Sequence, residues 1–288
     1  MRKLNPKQYD ETEFNKLIFT QTNSIRSHLK LQTTDITNVK SRFADYEFNK
    51  NKLESLSSSI YVKTSDEYKS LFGLYDSVSQ DTENIKDEIK KISELKCPYC
   101  GIESPYNLDH FLPRSRFPEF SIFAPNLIYV CSRCNTTYKS DDIITPTGER
   151  KIFNPYYDDF IETTQFLKCE IEINGSVYPT FKFYIEDLSA TMLYEYSVMK
   201  NHFEAMHLKT RYMEQIVKEK FRIFKNEYIN LQQRTYYDTS LEEIKSDIDK
   251  MLRGYQGENI NNYEKVFWES LKDCDECLNL IVKRTIPI

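Results

Sequence analysis

Glycine is scarce in this chain: 6 residues of 288, beside 10 prolines and a single tryptophan. That scarcity excludes collagen-like and low-complexity architectures, and with 40% hydrophobic and 29% charged residues the chain is expected to bury a core. No apolar run approaches the roughly 18 to 20 residues of a membrane span. Met1 to Tyr9 is charged and polar and lacks the apolar stretch of a signal peptide. The expectation is a globular protein of the cytoplasm with no membrane association. An excess of positive charge is missing too, since 39 Lys and Arg stand against 44 Asp and Glu for a net charge of -5. Coating nucleic acid by bulk electrostatics needs the reverse balance, so any nucleic-acid site has to be a local positive patch.

Helical patterning fills both ends of the chain. Apolar residues recur at helical spacing in Phe14, Leu17, Ile18 and Ile25, in Leu53, Leu56 and Ile60, and in Ile85, Ile89 and Ile92 before Leu95. Ser65 followed by Asp66 and Glu67 reads as a helix start, and polar breaks at Thr33 to Thr37 and Lys63 to Ser65 read as connections. From Ser189 onwards three more stripes follow: Tyr212, Ile216, Val217 and Phe221; Leu241, Ile244, Ile248 and Leu252; Phe267, Leu271, Cys274 and Leu278. Between the two helical ends, Phe166 to Ile173 and Val177 to Ile185 alternate around Asn174-Gly175, which predicts a β-hairpin.

Six of the ten prolines fall between Pro98 and Pro146, where regular elements cannot stack and another organiser is needed. Cys97-Pro98-Tyr99-Cys100 and Cys131-Ser132-Arg133-Cys134 supply it. Each C-x-x-C sets two sulfurs on one side of a tight turn, and two such turns make the tetrahedral four-thiolate sphere of structural zinc. In a reducing compartment these thiols favour metal over disulfide. The thirty residues between the knuckles exceed the usual 15 to 20 or so, so an excursion is inserted there. Strand-like stretches at Asn107 to Phe111 and Leu127 to Cys131, then a helix from Ser132 through Tyr138, are expected within and after it.

The excursion contains Leu108-Asp109-His110-Phe111-Leu112-Pro113-Arg114-Ser115 and Pro125-Asn126-Leu127, and the second knuckle runs into Asn135 and Lys139-Ser140-Asp141. In that order these residues resemble the HNH endonuclease family with its ββα-metal motif, over Cys97 to about Asp142. More loosely, Asn154-Pro155-Tyr156-Tyr157-Asp158-Asp159-Phe160 and Asn201-His202-Phe203 look like bacterial proteins in which such a nuclease sits between helical flanks. The wider similarity extends to subunits that work beside an ATPase partner in anti-phage systems such as Septu.

The resemblance implies hydrolysis of DNA phosphodiesters leaving 5′-phosphate and 3′-hydroxyl ends, and the residue chemistry agrees. His110 suits the general base, because imidazole titrates near neutrality. Asp109 and Asn135 offer hard oxygen ligands to one Mg²⁺ or Mn²⁺, which would offset charge on the scissile phosphate. By resemblance Asn126 braces the loop that carries the base. Arg114, Arg116, Arg133 and Lys139 against Glu119 make a local +3, a phosphate patch without base readout. Three residues, not the family's usual two, separate Asn135 from Lys139, which turns Lys139 by about 100° around a helix. The loop after the base lacks the family's glycines, so Arg116-Phe117-Pro118-Glu119-Phe120 is expected to hold its shape by aromatic packing.

The fold class expected is α+β, mainly α, with a zinc-stabilised ββα-metal core between helical flanks and a β-hairpin after the core. The regions are 1–96 helical, 97–145 the nuclease core, 146–188 linker and hairpin, and 189–288 helical. They form one compact body with an inserted core, or else a separate C-terminal domain follows residue 188. Cys274 and Cys277, Cys169, His28, His202 and His207 read as packing or surface residues. The competing functional class is a catalytically silent zinc-stabilised nucleic-acid-binding or adaptor protein.

Overall fold

The computed structural model describes residues 1–6, 33–78, 80–92, 95–173, 179–235 and 239–283. The expected helix on Phe14, Leu17, Ile18 and Ile25, together with His28 and the Asn174-Gly175 turn, lies outside the described residues. The architecture is α+β and mainly helical, with two two-stranded antiparallel sheets among the described residues. Two compact units divide at the Asp159/Phe160 junction: Lys3–Asp159, and Phe160–Ile288 together with Met1–Arg2. The later hairpin therefore belongs with the C-terminal helices.

In the first unit, α1 (Thr33–Phe48), α2 (Asp66–Gly73) and α3 (Gln80–Ile92) precede β1 (Asn107–His110) and β2 (Leu127–Val130). The Thr33 to Thr37 stretch opens α1 instead of separating helices. Asp35 in its first turn suits the helix dipole, and Ile36, Val39, Phe43 and Tyr46 lie on one buried stripe. Leu53, Leu56 and Ile60 do not form the expected helix: a single 3-10 turn spans Leu53–Ser55, and Ile60 is 58% exposed. Three serines follow, a residue type whose hydroxyls compete for backbone partners, and Arg42 takes both the hydroxyl and the carbonyl of Ser57. The Ser65 start is as expected, its hydroxyl accepting the Tyr68 amide at 3.1 Å. Ile85 and Ile89 of α3 pack with Leu108, Ala124 and Leu127, whereas Leu95 is exposed. The β1/β2 register pairs Asp109 with Ile128 and His110 with Leu127. After the second knuckle the chain winds through a π-helical stretch, Arg133–Lys139. The Asn154-Pro155-Tyr156 segment pins β2, the Tyr156 hydroxyl donating to the Leu127 carbonyl at 2.8 Å.

The second unit starts with α4 (Phe160–Thr163) and the hairpin β3 (Leu167–Glu172) and β4 (Thr180–Ile185), paired from Leu167↔Ile185 to Glu172↔Thr180. Helices α5 (Leu193–Ala205), α6 (Leu208–Gln215), α7 (Arg222–Thr235), α8 (Leu241–Arg253), α9 (Tyr263–Asp273) and α10 (Asp275–Val282) complete it. Tyr212 of α6 stacks on Tyr263 of α9 at 4.5 Å between ring centroids. Buried Asn261 accepts the Phe166 and Leu167 amides and donates to the Ile161 and Thr164 carbonyls, tying the start of β3 in place. Two stripe expectations are corrected. A π-helical turn at Ile216–Phe221 changes the period, so Tyr212, Ile216 and Phe221 are buried and Val217 is 43% exposed. Cys274 leaves helical geometry at φ -98, ψ 78, and α10 restarts at Asp275 with two acids in its first turn.

Candidate functional site

Cys97, Cys100, Cys131 and Cys134 come together, all buried, with their sulfurs within 4.8 Å of one another. A tetrahedron of Zn–S bonds near 2.3 Å sets sulfurs about 3.8 Å apart, and Cys100 and Cys131 stand at 3.9 Å. Gly101 has φ 70, and its amide donates to the Cys97 carbonyl at 2.7 Å, closing a turn that a side chain would strain. The next amide, Ile102, donates to the Cys100 sulfur at 3.4 Å, a bond that favours thiolate. Burial by itself pushes the Cys97 pKa well above its ordinary value, and a cation among the four sulfurs would offset that burial and hold them as thiolates. The cluster fits structural zinc.

Beside it opens a pocket of about 790 Å³ whose lining includes Tyr75, Asp109, His110, Arg114, Asn135 and Lys139. His110 ends β1, and its Nε2 lies 2.8 Å from the Ser121 carbonyl oxygen. A carbonyl can only accept, so Nε2 carries the hydrogen and neutral His110 has its lone pair on Nδ1. Tyr75 meets the ring edge-on at 4.6 Å. Enclosure lowers the His110 pKa from 6.5 to about 4, the Ser121 hydrogen bond opposing that shift. The Ser121 carbonyl is held by the loop that the sequence left without glycines. Phe43 stacks on Phe123 at 4.2 Å, Tyr46 meets Phe120 edge-on at 5.1 Å, and Phe117 stacks on Phe120. Under these rings, buried Arg42 donates to Glu119 at 2.9 Å, and Ser59 donates to the other carboxylate oxygen at 2.7 Å.

Asn126 is fully buried and makes no part of the pocket wall. Its Oδ1 accepts the Leu112 amide at 2.8 Å, and its Nδ2 donates to the Leu112 and Phe120 carbonyls at 3.0 and 3.3 Å. It clasps both ends of the loop between His110 and Ser121, which makes it a positioning residue.

Asp109 is buried, with each carboxylate oxygen engaged. Oδ2 accepts the Tyr99 hydroxyl and Oδ1 the Lys139 ammonium, both at 2.9 Å. Lys139, 1% exposed, also donates to the His110 carbonyl at 2.8 Å. The π-helical winding of Arg133–Lys139 turns Lys139 inward, onto Asp109. Asn135, half-buried in the same wall, makes no side-chain hydrogen bond to the described residues.

The arginines divide. Arg114 lines the pocket, salt-bridged to Asp76 at 2.8 Å and 4.3 Å over Phe72. Arg116 pairs with Asp142 and Arg133 with Glu103, both off the pocket wall. Asp141 and Asp142 join the lining, so Asp109, Asp141 and Asp142 outnumber Arg114 and Lys139 and the pocket carries -1 with His110 neutral. The +3 counted along the sequence is not a free positive patch. Sequence reasoning missed Tyr99, although it sits between the first two cysteines, and it missed Ser121, whose part is played by a backbone carbonyl that any residue carries.

No protein-family model matches the chain, and no solved structure matches it. Over 128 residues it is 29% identical to Protein ea31 of Escherichia phage lambda. That stretch is 44% of this chain and 42% of the phage protein, so the likeness spans less than half of either.

Proposed function

We propose that the Lys3–Asp159 unit is an HNH-type, metal-dependent endonuclease that hydrolyses DNA phosphodiester bonds. The observation that carries this reading is the 2.8 Å approach of His110 Nε2 to the Ser121 carbonyl, from which the ring's tautomer follows. With Nε2–H held by the Ser121 carbonyl, Nδ1 of a pocket-lining imidazole is free to take a proton from water. That water's oxygen bonds to phosphorus, the bond to the 3′-oxygen breaks, and the leaving oxygen takes a proton from solvent. Asn126 keeps His110 and the Ser121 carbonyl in register while this happens. Arg114, fixed by Asp76 and Phe72, is the pocket's guanidinium for a backbone phosphate.

A hard divalent cation such as Mg²⁺ or Mn²⁺ would take its protein oxygens here from Asp109 and Asn135. A positive charge, the Lys139 ammonium, already stands on Asp109. When bound there, the cation supplies charge neutralisation for the scissile phosphate and the leaving oxygen. The same ammonium is the one observation favouring a second reading, a zinc-stabilised nucleic-acid-binding or adaptor protein with a silenced site. The wider sequence similarity adds a partner-regulated version, an anti-phage effector beside an ATPase subunit.

Purified chain is incubated with plasmid and linear DNA and Mn²⁺ or Mg²⁺, beside His110→Ala and EDTA controls. Cleavage that needs the cation and drops at least about 10²-fold in the mutant is expected for a lost general base. A folded, zinc-loaded wild type that binds DNA without cutting supports the binding module. Cutting restored only by a co-purifying ATPase supports the regulated version.

A further inference from the structure

One contact in the pocket is at odds with a simple cation site. Asp109 is the carboxylate read as the cation's ligand, and it already has a counter-ion inside the protein: Lys139 Nζ, 2.9 Å from Oδ1 and 2.8 Å from the His110 carbonyl. Both side chains are shielded from water, at 1% and 5% exposure, so screening cannot weaken the pair. The other carboxylate oxygen is held by Tyr99 at 2.9 Å. A divalent ion and an ammonium cannot share one carboxylate oxygen, because two positive charges a bond length or two apart repel strongly in so dry a place. Yet Asn135, in the same wall, has an amide oxygen without a protein partner among the described residues.

We propose that Lys139 is an internal competitor for the catalytic cation. In the resting protein its ammonium holds Asp109, and the divalent ion is taken up together with nucleic acid, whose phosphate receives the displaced ammonium. The proposal rests on reading Asp109 as the cation's ligand. Three features make the exchange physically reasonable. Lys139 and Asp109 are both among the residues that line the pocket, so rotation of the buried lysine stem would carry its ammonium into that space. A lysine stem is flexible and its ammonium is a point charge that serves phosphate and carboxylate equally well. The pocket's acids outnumber its fixed cations only by one, so a dication alone leaves it positive, whereas a dication with a phosphate restores the balance. The exchange moves charges between sites and breaks no covalent bond. Its consequence is a site that stays switched off towards free metal and is armed by substrate.

The test measures Mn²⁺ binding by electron paramagnetic resonance on the zinc-loaded full chain, counting the component that Asp109→Asn removes. Without DNA, Lys139→Gln is expected to bind Mn²⁺ at least tenfold more tightly than wild type. In a His110→Ala background, chosen to slow cleavage, a short duplex is expected to raise Mn²⁺ affinity at least tenfold when Lys139 is present and much less in the Lys139→Gln double variant. Equal Mn²⁺ affinity in wild type and a folded Lys139→Gln overturns the proposal but leaves Asp109 as a cation ligand. Should Lys139→Gln fail to fold, the DNA arm decides alone, and an affinity unmoved by the duplex overturns the proposal. Absence of any Asp109-dependent Mn²⁺ binding, with DNA or without, defeats both this proposal and the cation's part in the proposed function.

Discussion

Enclosure of the His110 ring lowers its pKa from 6.5 to about 4, chiefly by desolvation, so the imidazole stays neutral across the physiological range. In the proposed mechanism, a general base in that state keeps working well into acid. The acid limb of the kcat/KM profile is expected far below pH 6.5, and a limb at 6.5 would mean that the ring titrates as if in water. Stability follows from the same shift. Between pH 6.5 and 4 the unfolded chain binds the proton that the folded one refuses, so folding stability falls as pH falls through that window. The loss amounts to roughly 3 kcal/mol by pH 4, and His110→Gln should flatten that part of a urea-unfolding series. Asn126 belongs to the same scale. Its replacement by Ala strands the Leu112 amide and two carbonyls in the interior, at a cost of about 2 to 4 kcal/mol by denaturant unfolding. A loss below about 1 kcal/mol would show that the loop relaxes without its clasp.

At the scale of elements, the hairpin β1/β2 and the π-helical stretch Arg133–Lys139 decide where chemistry can happen. Strand pairing brings Asp109 and His110 beside β2, and the knuckle at Cys131 and Cys134 anchors the start of the helical turn that carries Asn135 and Lys139. A π-turn holds one residue more than an α-turn, and in this winding Lys139 faces Asp109. Deleting Thr137, an exposed residue of that stretch, is therefore expected to convert it to ordinary α-helix. Zinc content should be retained and Tm should move by no more than about 4 °C. Loss of zinc or a collapse in Tm would show that the wider turn is itself required. Helix α1 has a comparable part at a distance, because its Phe43, Tyr46 and Arg42 shape the loop whose Ser121 carbonyl orients the His110 ring.

For the whole molecule, the division at Asp159/Phe160 gives the two units separate sources of stability. The four-cysteine cluster lies in the Lys3–Asp159 unit, whose proline-rich middle has little regular structure of its own, whereas the other unit rests on helices around a hairpin. Binding free energy at a structural zinc site is folding free energy. Calorimetry of the intact chain is expected to show two transitions, only one of them abolished by a strong chelator, with about one zinc per chain by elemental analysis. One transition indifferent to chelation would refute the assignment of zinc as an organiser. Among the described residues no helix is long and apolar enough to cross a membrane.

Local rules were enough for several features. The two C-x-x-C pairs, the strands at Asn107 and Leu127, the Ser65 helix start and the pairing of the second hairpin's strands all follow from spacing, period and turn chemistry. Such features depend on neighbours a few residues away, or on a metal that demands one geometry. Tertiary structure alone decided the rest. It paired Lys139 with Asp109 across thirty residues, Arg42 with Glu119 across 77, and the His110 ring with a main-chain oxygen that no side-chain identity announces. It also paired Arg114, Arg116 and Arg133 with acids from elsewhere in the unit, undoing a charge patch that exists only along the sequence. Burial and charge pairing depend on what the fold brings near, and a linear reading cannot supply the distances that set them.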